Sequence, residues 1–506
     1  MKITNLLLAT GVVLTVASCG GNGNNSNATL QGDQVTMPTL TAEMPSNSGS
    51  TSTTAPISTS SAMPSLSFLS DSEATSAASS IAKGTVYYVN KAEGSNRNDG
   101  LSAANAFKNL QKAIDAAPEG ATILVAEGNY LGTLDCGNIN VTKPLSIMGG
   151  FSADFSKRDV LKYQTKVELT STASGTAKGQ GIMTIDIQKG EGKNVTIDGL
   201  IFNQGNAIAY NSKREGQPAG VESPMMQPVG SSGIGGPDCN EPNVFTNRMS
   251  LIYFNNPEVN INISNCAFVN GSNFGIMGMF KGKATIKNNI FVNIVMAAID
   301  IRGSYNSMLK RSVVEFDHNT VLFSWSRTKE FTDMGYGLRL MPCTDYYCTN
   351  NIFGFSIFAG LDRTHIDSNK EAESKRICTS VNNLFCFNKQ ADLTLPGGGL
   401  FLRVKAEDFD DVETLNEVKN NKTIKDAAIF NNRLDAAYAN GFLSASYRET
   451  TDYDPNSSAN QFRASMGMNQ VGKMESSATM FANRYNLQKA LLFFGAVEGQ
   501  GAQVIK

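Results

Sequence analysis

One short pattern of polar and apolar positions recurs through the middle of the chain. It is a polar step followed by two mostly apolar positions, and it is marked by an asparagine that returns at nearly equal intervals, at Asn289, Asn319, Asn351 and Asn383. Cys266 holds the equivalent position one repeat before Asn289. Periods of about 20 to 50 residues are typical of solenoids, in which each unit buries its apolar face only by stacking on the next. The pattern therefore predicts a stack of coils, with the asparagine column as an internal hydrogen-bonded ladder.

A second column of segments follows the first, and each member opens with a small residue followed by Ile or Leu. Its members are Gly275–Met279, Ala298–Arg302, Gly337–Met341, Gly360–Thr364 and Gly399–Arg403. Side chains alternate across a strand, so the second residue of each segment is predicted to face the core and the third to face outward. The predicted core residues are Ile276, Ile299, Leu338, Leu361 and Leu400, and the outward ones are Met277, Asp300, Arg339, Asp362 and Phe401. Stacked strands lie roughly 4.8 Å apart, which places Asp300, Arg339 and Asp362 within reach of one another on one outer face.

The ordered part of the chain begins with two strands and a helix. Residues 84–90 alternate β-branched and aromatic side chains, which predicts a strand. A turn-rich stretch follows, then a helix whose apolar stripe includes Leu110 and Ile114, and then a second strand at residues 121–126.

The same region carries a family resemblance. The segments Tyr87–Val89, Gly94–Ser102, Ala106–Ile114 and Gly120–Tyr130 together resemble the opening of right-handed parallel β-helix proteins of the pectate-lyase-like superfamily. The repeated segments extend this resemblance loosely to about residue 400. It implies an all-β fold, a right-handed parallel β-helix solenoid in which the N-terminal helix caps the first coil and protects an open sheet edge.

This β-helix domain is predicted to span residues 84–506 and to carry two further elements. A Gly-, Pro-, Ser- and Met-rich stretch without periodicity near residues 205–250 predicts an inserted loop, either functional or disordered. An acidic, polar stretch runs from Glu407 to Lys425. The apolar segment Ala482–Gly495 is predicted to form a C-terminal cap, followed by a frayed end at Val497–Lys506.

The N-terminus has the features of an export segment. Residues 1–18 contain Lys2 and an apolar run and end in Val-Ala-Ser before Cys19, which resembles a bacterial lipoprotein signal peptide with its lipobox. This resemblance implies cleavage before Cys19, acylation of its thiol, and a lipid anchor in the bacterial outer membrane or at the cell surface. An ordinary secretory signal is the alternative, and the apolar run is too short for a membrane helix. Residues 19–83 are rich in Ser and Thr and are predicted to be a disordered tether.

Composition excludes some functions. The 506 residues carry a net charge of -2, and they contain no basic patch with interleaved aromatics, so no nucleic-acid partner is predicted. Two histidines leave little for a His-based metal site. The turn Asn96–Gly100 has side-chain oxygens of the kind that calcium prefers, but it lacks a closing bidentate Glu, so a plain turn is favoured. The cofactor is therefore unknown, with calcium as the candidate ion.

Seven cysteines remain once Cys19 is set aside, so at least one is unpaired. Cys266 lies in the first column and is predicted to be a buried thiol. Cys343 and Cys348 are close enough in sequence to form a disulfide. A catalytic thiol would need a histidine partner, and the chain has only two histidines.

The family resemblance directs attention to the outer face of one sheet, where enzymes of the superfamily commonly act. Its lyases use calcium-binding acids with an Arg or Lys base, and its hydrolases use clustered Asp pairs. The resemblance makes Asp300 and Asp362 candidate ligands or acid/base groups, and Arg339 the candidate base or substrate clamp. The candidate binding residues nearby are Arg302, Arg363, Phe401 and Arg403.

The three candidate catalytic residues also fit a structural role, as a ladder of alternating charges that links exposed strands. The sequence lacks the Asn-Thr-Asp, Gly-His-Gly and Arg-Ile-Lys set of polygalacturonases and the Arg-x-Pro-x-x-Arg motif of the main pectate lyases, which favours that role. Three functions therefore stay open. They are a surface lipoprotein that binds glycan or another surface partner, a polysaccharide lyase or glycoside hydrolase acting on an acidic polysaccharide, and a structural surface protein.

Overall fold

A computed structural model describes the chain at residues 84–132, 139–169, 181–204, 250–271, 273–305, 310–325, 335–397, 401–444, 455–470 and 484–505. The predicted signal peptide, Cys19, the predicted tether and nearly all of the predicted inserted loop lie outside these residues. Within the described ranges, no helix has both the length and the apolar character needed to cross a membrane.

The described residues form many short strands and a few short helices. The first strands are β1 (Val86–Val89), β2 (Thr122–Ala126), β3 (Gly128–Asn129), β4 (Ile139–Val141), β5 (Ser146–Phe151), β6 (Thr165–Glu168), β7 (Gly181–Ile185), β8 (Asn194–Asp198), β9 (Ile201–Asn203), β10 (Ser250–Glu258), β11 (Asn260–Ser264), β12 (Ala267–Gly271), β13 (Ile276–Lys281) and β14 (Lys283–Lys287). The remaining strands are β15 (Ile290–Val295), β16 (Ala297–Gly303), β17 (Ser312–Asp317), β18 (Thr320–Trp325), β19 (Tyr336–Arg339), β20 (Thr344–Thr349), β21 (Ile352–Ser356), β22 (Ala359–Asp362), β23 (Cys378–Val381), β24 (Leu384–Cys386), β25 (Ala391–Leu395), β26 (Leu402–Val404), β27 (Glu417–Lys419) and β28 (Lys422–Ile424). The α-helices are α1 (Leu110–Ala116), α2 (Lys370–Ser374), α3 (Ala436–Ser444), α4 (Ser458–Ser465) and α5 (Leu487–Leu491), and 3₁₀ helices span Ala406–Asp411 and Ala427–Phe430.

These strands form three sheets. Sheet 1 has ten strands in the order β1-β2-β5-β8-β11-β14-β17-β20-β23-β27, sheet 2 has nine in the order β4-β7-β10-β13-β16-β19-β22-β25-β26, and sheet 3 has nine in the order β3-β6-β9-β12-β15-β18-β21-β24-β28. The chain passes from sheet 1 to sheet 3 to sheet 2 and then begins the next coil, as in β11, β12 and β13. Neighbouring strands pair in parallel, for example β11 with β14 and β12 with β15. The prediction of an all-β parallel β-helix is confirmed.

The first predicted column is confirmed by the register of sheet 3. Phe202 pairs with Phe268, and Phe268 pairs with Phe291. Their rings stack nearly parallel, with centroids 5.1 and 4.5 Å apart. Because the strand separation of about 4.8 Å sets this distance, each coil adds a side chain to one continuous core.

The asparagine column forms the predicted internal ladder. Asn289 donates its backbone N–H to Oδ1 of Asn319, and Asn319 does the same to Asn351 one coil further on. Asn319 also donates from Nδ2 to the carbonyl of Ile286 at 2.9 Å. These asparagines are fully buried, so the ladder satisfies backbone groups in the turns between sheets 1 and 3.

The small residues of the second column fit against the phenylalanine stack. A Cβ atom on Gly275 would lie 3.1 Å from the ring of Phe291, and one on Gly360 would lie 2.8 Å from the ring of Phe385. Because the interior is close-packed, larger side chains would have to displace these rings. The residues that follow in each segment are fully buried, as predicted, at Ile276, Ile299, Leu338 and Leu361.

The last member of the second column was predicted wrongly. Leu361 pairs with Leu393 of β25, so the segment Gly399–Arg403 is not the next parallel strand. Strand β26 runs antiparallel to β25, with Arg403 opposite Thr394, while Gly399 and the predicted core residue Leu400 lie outside the described residues. The segment matched the pattern only because a glycine precedes a leucine there.

Helical segments close both ends of the interior. At the N-terminal end, α1 buries Leu110 and Ile114 against the core, which confirms the predicted capping helix. At the C-terminal end, the 3₁₀ helix Ala406–Asp411 buries Phe409, whose ring centroid lies 5.3 Å from that of Phe385. The acidic stretch after residue 406 therefore fills the end of the core, because its few apolar side chains point inward.

The C-terminal helices cover the side of the solenoid, which corrects the predicted cap at residues 482–495. Phe323 on the outer face of sheet 3 contacts the rings of Phe442 in α3 and Tyr485 just before α5. Phe355, one coil further on, contacts Phe462 of α4. The middle strands of sheet 3, β12, β15, β18 and β21, are therefore buried on both faces.

The final residues are not frayed, which corrects that prediction also. Gly501 donates its N–H to the carbonyl of Asn350 at 2.7 Å, and Ala502 donates to Oγ1 of Thr320 at 2.9 Å. Gln503 donates to Oδ1 of Asn288 at 2.6 Å. Three successive residues thus bind three successive coils.

Candidate functional site

The outer face of sheet 2 carries two columns of exposed or partly exposed side chains on three adjacent strands. The strand register aligns Tyr253, Met277 and Asp300 in one column, and Asn255, Met279 and Arg302 in the other. We call these six residues the sheet 2 patch. Met279 is 44% exposed, and Asn255 and Arg302 are exposed on either side of it. Burial raises the pKa of Tyr253, so its hydroxyl stays neutral.

Arg339 and Asp362 continue the Asp300 column on the next two strands of sheet 2. Nη1 of Arg339 donates to Oδ2 of Asp300 at 2.5 Å, and Nε donates to Oδ2 of Asp362 at 3.2 Å. We call these three residues the charge ladder. The structure brings them together as the spacing predicted, but Arg339 and Asp362 are only 5% and 1% exposed.

Asp362 has a full set of hydrogen-bond donors. Its Oδ1 accepts from the backbone N–H and the hydroxyl of Thr364, at 3.0 and 2.6 Å, and from the hydroxyl of Thr394 at 3.1 Å. Nδ1 of His365 lies 3.5 Å from Oδ2, and Nε2 of the same ring lies 2.8 Å from Nη2 of Arg339. The sequence analysis used the two histidines only in weighing a metal site and a catalytic thiol, so it did not place His365 beside the ladder.

These contacts fix the ionisation of the ladder. Burial alone would raise the pKa of Asp362, but hydrogen bonding to His365 and the charge of Arg339 outweigh it and hold the pKa below its usual range. Burial alone would lower the pKa of Arg339, but the carboxylates of Asp300 and Asp362 raise it above its usual range. Near neutral pH, Asp362 is therefore a carboxylate and Arg339 a cation, and neither exchanges a proton easily.

A second set of charges holds the turn between β22 and β23, which carries His365. Arg376 donates to the carbonyl of His365 at 2.8 Å. Arg311 joins Asp345 at 2.8 Å and Asp367 at 3.3 Å. Arg311 thus ties Asp367 in the turn to Asp345 in β20 of sheet 1, and His365 in the same turn contacts Arg339 of the ladder.

The four candidate binding residues do not gather around the ladder. Arg302 is exposed within the patch, whereas Arg363 is buried and bonds Glu373 in α2. Phe401 packs with its ring centroid 5.4 Å from that of Phe358, and Arg403 lies on the exposed strand β26. Of the four, only Arg302 joins the predicted outer face.

Tyr253 and Asn255 were missed because the preceding chain had no visible repeat. The spacing could have revealed them, since the step from Tyr253 to Met277 nearly matches the step from Met277 to Asp300, one coil in each case. The strand Ser250–Glu258 is the first element after the long non-periodic stretch, which hid its register.

The described cysteines have a simple outcome. The described cysteines are free thiols, so Cys343 and Cys348 do not form the disulfide that their spacing allowed, while Cys266 is buried as predicted. Cys348 faces the core, whereas Cys343 contacts Asp367 outside it, so the two thiols point apart. Among the described residues, no three acidic, histidine or cysteine side chains group as metal ligands.

Known proteins show only distant similarity to this chain. No family model matches the sequence, and no curated protein matches it. Among solved structures, YbhC of Escherichia coli aligns at 11% identity over 67% of this chain and 85% of that one, with a TM-score of 0.31. The pectin methylesterase of Aspergillus niger, in deglycosylated form, aligns at 12% identity over 70% of this chain and 93% of that one, with a TM-score of 0.27.

The class of protein follows from the architecture. Coils of three strands, stacked in parallel register around a phenylalanine and asparagine core, define a parallel β-helix. A fold of this kind carries many unrelated functions, so the function has to be argued from the residues on its surface.

Proposed function

We propose that the protein is a lipid-anchored bacterial surface protein whose β-helix binds a glycan at the sheet 2 patch without cleaving it. The observation that supports this most is the composition of the patch, with an aromatic ring, two thioethers and three polar side chains in two aligned columns. Strands about 4.8 Å apart and a two-residue step of about 6.6 Å give the patch dimensions close to those of one or two sugar rings.

The side chains of the patch match the two kinds of surface that a sugar presents. The ring of Tyr253 and the methionine thioethers offer apolar surface to the C–H faces of a sugar. Asn255, Asp300 and Arg302 offer donors and acceptors to its hydroxyl groups. Because the strands are locked by parallel pairing, these groups need little ordering when the ligand binds.

The charge ladder favours binding over cleavage. A general acid or base needs a pKa near the working pH and access to the substrate. Asp362 is fully buried with a lowered pKa, and Arg339 is bound by two carboxylates with a raised pKa. Arg339 and Asp362 therefore act as a fixed support beside the patch and hold Asp300 in place within it.

A polysaccharide lyase or hydrolase is the second candidate, because His365 and Asp300 are both partly exposed and both contact Arg339. The two candidates separate in one experiment. The full chain, purified in detergent, is tested on a panel of neutral and uronate-containing polysaccharides with and without calcium. Retention is followed by affinity electrophoresis, and cleavage by reducing ends and by absorbance of unsaturated products.

Retention by at least one polymer without product supports binding. Product that disappears in Asp300→Ala would establish the enzyme instead. If no polymer retains the protein and no product forms, both candidates fail and a structural surface role is favoured.

The lipid anchor is a separate part of the proposal, and it rests on the lipobox-like sequence before Cys19. Cys19→Ser is expected to move the protein from the membrane fraction to the soluble fraction after cell lysis. Cys343→Ser, which removes a different thiol, should leave it membrane-bound. Membrane attachment of the Cys19→Ser protein would contradict the anchor.

A further inference from the structure

The charges on the outer face of sheet 2 bear on the kind of glycan that it accepts. We counted the described charged side chains that point outward from the sheet 2 strands β10, β13, β16, β19 and β22, together with Asp186, which follows the neighbouring strand β7. They are four carboxylates and three cations. The carboxylates are Asp186, Glu258, Asp300 and Asp362, and the cations are Lys281, Arg302 and Arg339. The described part of this face therefore has no surplus of positive charge.

Most of these charges are already engaged within the protein. Lys281 lies 3.8 Å from Glu258, and Arg339 is bound by both carboxylates of the ladder. Asp186 accepts a hydrogen bond from Nδ2 of Asn255 at 3.0 Å. Arg302 is the patch cation, and among the described residues it contacts the thiol of Cys343 at 4.0 Å rather than a carboxylate.

From this balance we infer that the ligand of the sheet 2 patch is a neutral, hydroxyl-rich glycan and not a polyuronate. This inference rests on the proposed glycan-binding function. A polyuronate carries one negative charge on each sugar, so a run of its residues over this face would meet one available cation and partly exposed carboxylates. Like charges at such distances disfavour binding, and favourable association with a polyanion needs a complementary positive surface.

Neutral sugars meet no such penalty. The hydroxyl groups of a sugar can donate to the carboxylate of Asp300 and to the amide oxygen of Asn255, and they can accept from the guanidinium of Arg302. Ligand sites combine apolar contact with a few placed polar groups of this kind. The alignment of these three side chains around the two methionines gives that combination.

The test compares a neutral glucan, a neutral mannan and a neutral galactan with polygalacturonate and alginate, using the full chain in detergent and affinity electrophoresis at low and high sodium chloride. At least one neutral polymer is expected to retard the protein, with little dependence on salt, and the polyuronates are expected not to. Binding to an uncharged ligand releases no counterions, whereas binding to a polyanion weakens steeply as salt screens it.

Two variants sharpen this comparison. Arg302→Gln keeps a hydrogen-bond donor and removes the charge, so neutral-glycan affinity should fall only a few-fold. Lys283→Gln, on the outer face of sheet 1, is the matched loss of one charge away from the patch and should change nothing.

Stronger retention on a polyuronate than on any neutral polymer, abolished by Arg302→Gln and by salt, would overturn the inference while leaving glycan binding intact. Failure of every polymer to retard the protein would overturn the proposed function itself. The two failures are thus distinguishable.

Discussion

Nε of Arg339 donates to Oδ2 of Asp362 across 3.2 Å, one coil apart, with both residues almost completely buried on what is nominally the outer face of sheet 2. Asp300 on the preceding coil completes the ladder from the other side. A buried arginine between two carboxylates binds three neighbouring coils by charge as well as by backbone pairing. Breaking one buried pair costs far more than breaking an exposed one, because it leaves a charge without a partner.

Replacing Arg339 by alanine is therefore expected to lower the free energy of unfolding by about 3–5 kcal/mol. The matched control is Lys283→Ala, which removes the cation of the exposed pair between Lys283 and Glu315 on sheet 1, where Nζ and Oε1 are 2.7 Å apart. Exposed pairs contribute about 0–1 kcal/mol. Urea denaturation of both variants measures the difference, and equal losses would show that the ladder is not a buried support.

The lowered pKa of Asp362 predicts a loss of stability in acid. A carboxyl group whose folded pKa is depressed stabilises the fold fully above the pKa of the unfolded chain, about 3.9, and this contribution is lost as the pH falls through the folded value. The unfolding free energies of wild type and Asp362→Asn should therefore converge below about pH 4. Denaturation curves over a pH series test this, and a gap that widens in acid would contradict the assigned ionisation.

Glycine-to-alanine substitutions test how closely the small residues of the second column fit against the stacked phenylalanine rings. A Cβ atom on Gly360 would lie 2.8 Å from Phe385, whereas one on Gly441 of α3 meets no atom within 4 Å. Gly360→Ala should cost about 1–3 kcal/mol by overpacking. Gly441→Ala should stabilise by about 0.5–1 kcal/mol, because alanine favours the helix. Thermal unfolding of the two variants should shift in opposite directions, and shifts of the same sign would count against the packing described.

The last residues provide a further test, since Gly501, Ala502 and Gln503 each bond a different coil. A chain that ends after Gly499 loses these three hydrogen bonds, each of which contributes about 0.5–1.5 kcal/mol. Hydrogen exchange should then quicken at Asn288, Thr320 and Asn350. A chain that ends after Gln503 keeps these contacts and should exchange like wild type. Equal exchange in both truncations would mean that the tail does not hold the coils.

Much of the fold could be predicted because its repeat consists of residues that have a structural role in each coil. The side chain of Asn319 satisfies backbone groups of the preceding coil and of its own coil, and Gly360 leaves room for Phe385, so both columns recur at the coil period. The coil period could also have shown that Gly399–Arg403 is not the next member of the second column. The step from Asn351 to Asn383, taken from Leu361, leads to Leu393, which is the residue that pairs with Leu361.

The packing of the C-terminal helices on sheet 3 was not predicted, because the sequence pattern that indicates it lies in the strands that these helices cover. Strands Ile290–Val295 and Thr320–Trp325 are buried along their whole length. Near-continuous apolar runs indicate burial on both faces, whereas a sheet with one wet face alternates. What covers such a face depends on contacts distant in sequence, such as Phe323 with Tyr485, which local patterns do not encode.

The candidate site could be predicted only where it depends on the repeat. The register of the strands brings Asp300, Arg339 and Asp362 together, and the spacing of the repeated segments in the sequence was enough to predict that register. Their burial and ionisation depend on the turn that carries His365, which folds back over the sheet and has no periodic signature.

Glycan binding at the sheet 2 patch is tested most directly by a pair of tyrosine substitutions. Tyr253 lies in the patch, and Tyr347 is 36% exposed on the outer face of sheet 1, so each variant removes an accessible ring from a parallel sheet. On a polysaccharide that retards the full chain, affinity electrophoresis is expected to give about three- to tenfold weaker binding for Tyr253→Ala, the usual worth of an aromatic contact. Tyr347→Ala is expected to bind like wild type. Unchanged binding by Tyr253→Ala, or an equal loss in both variants, would contradict the account.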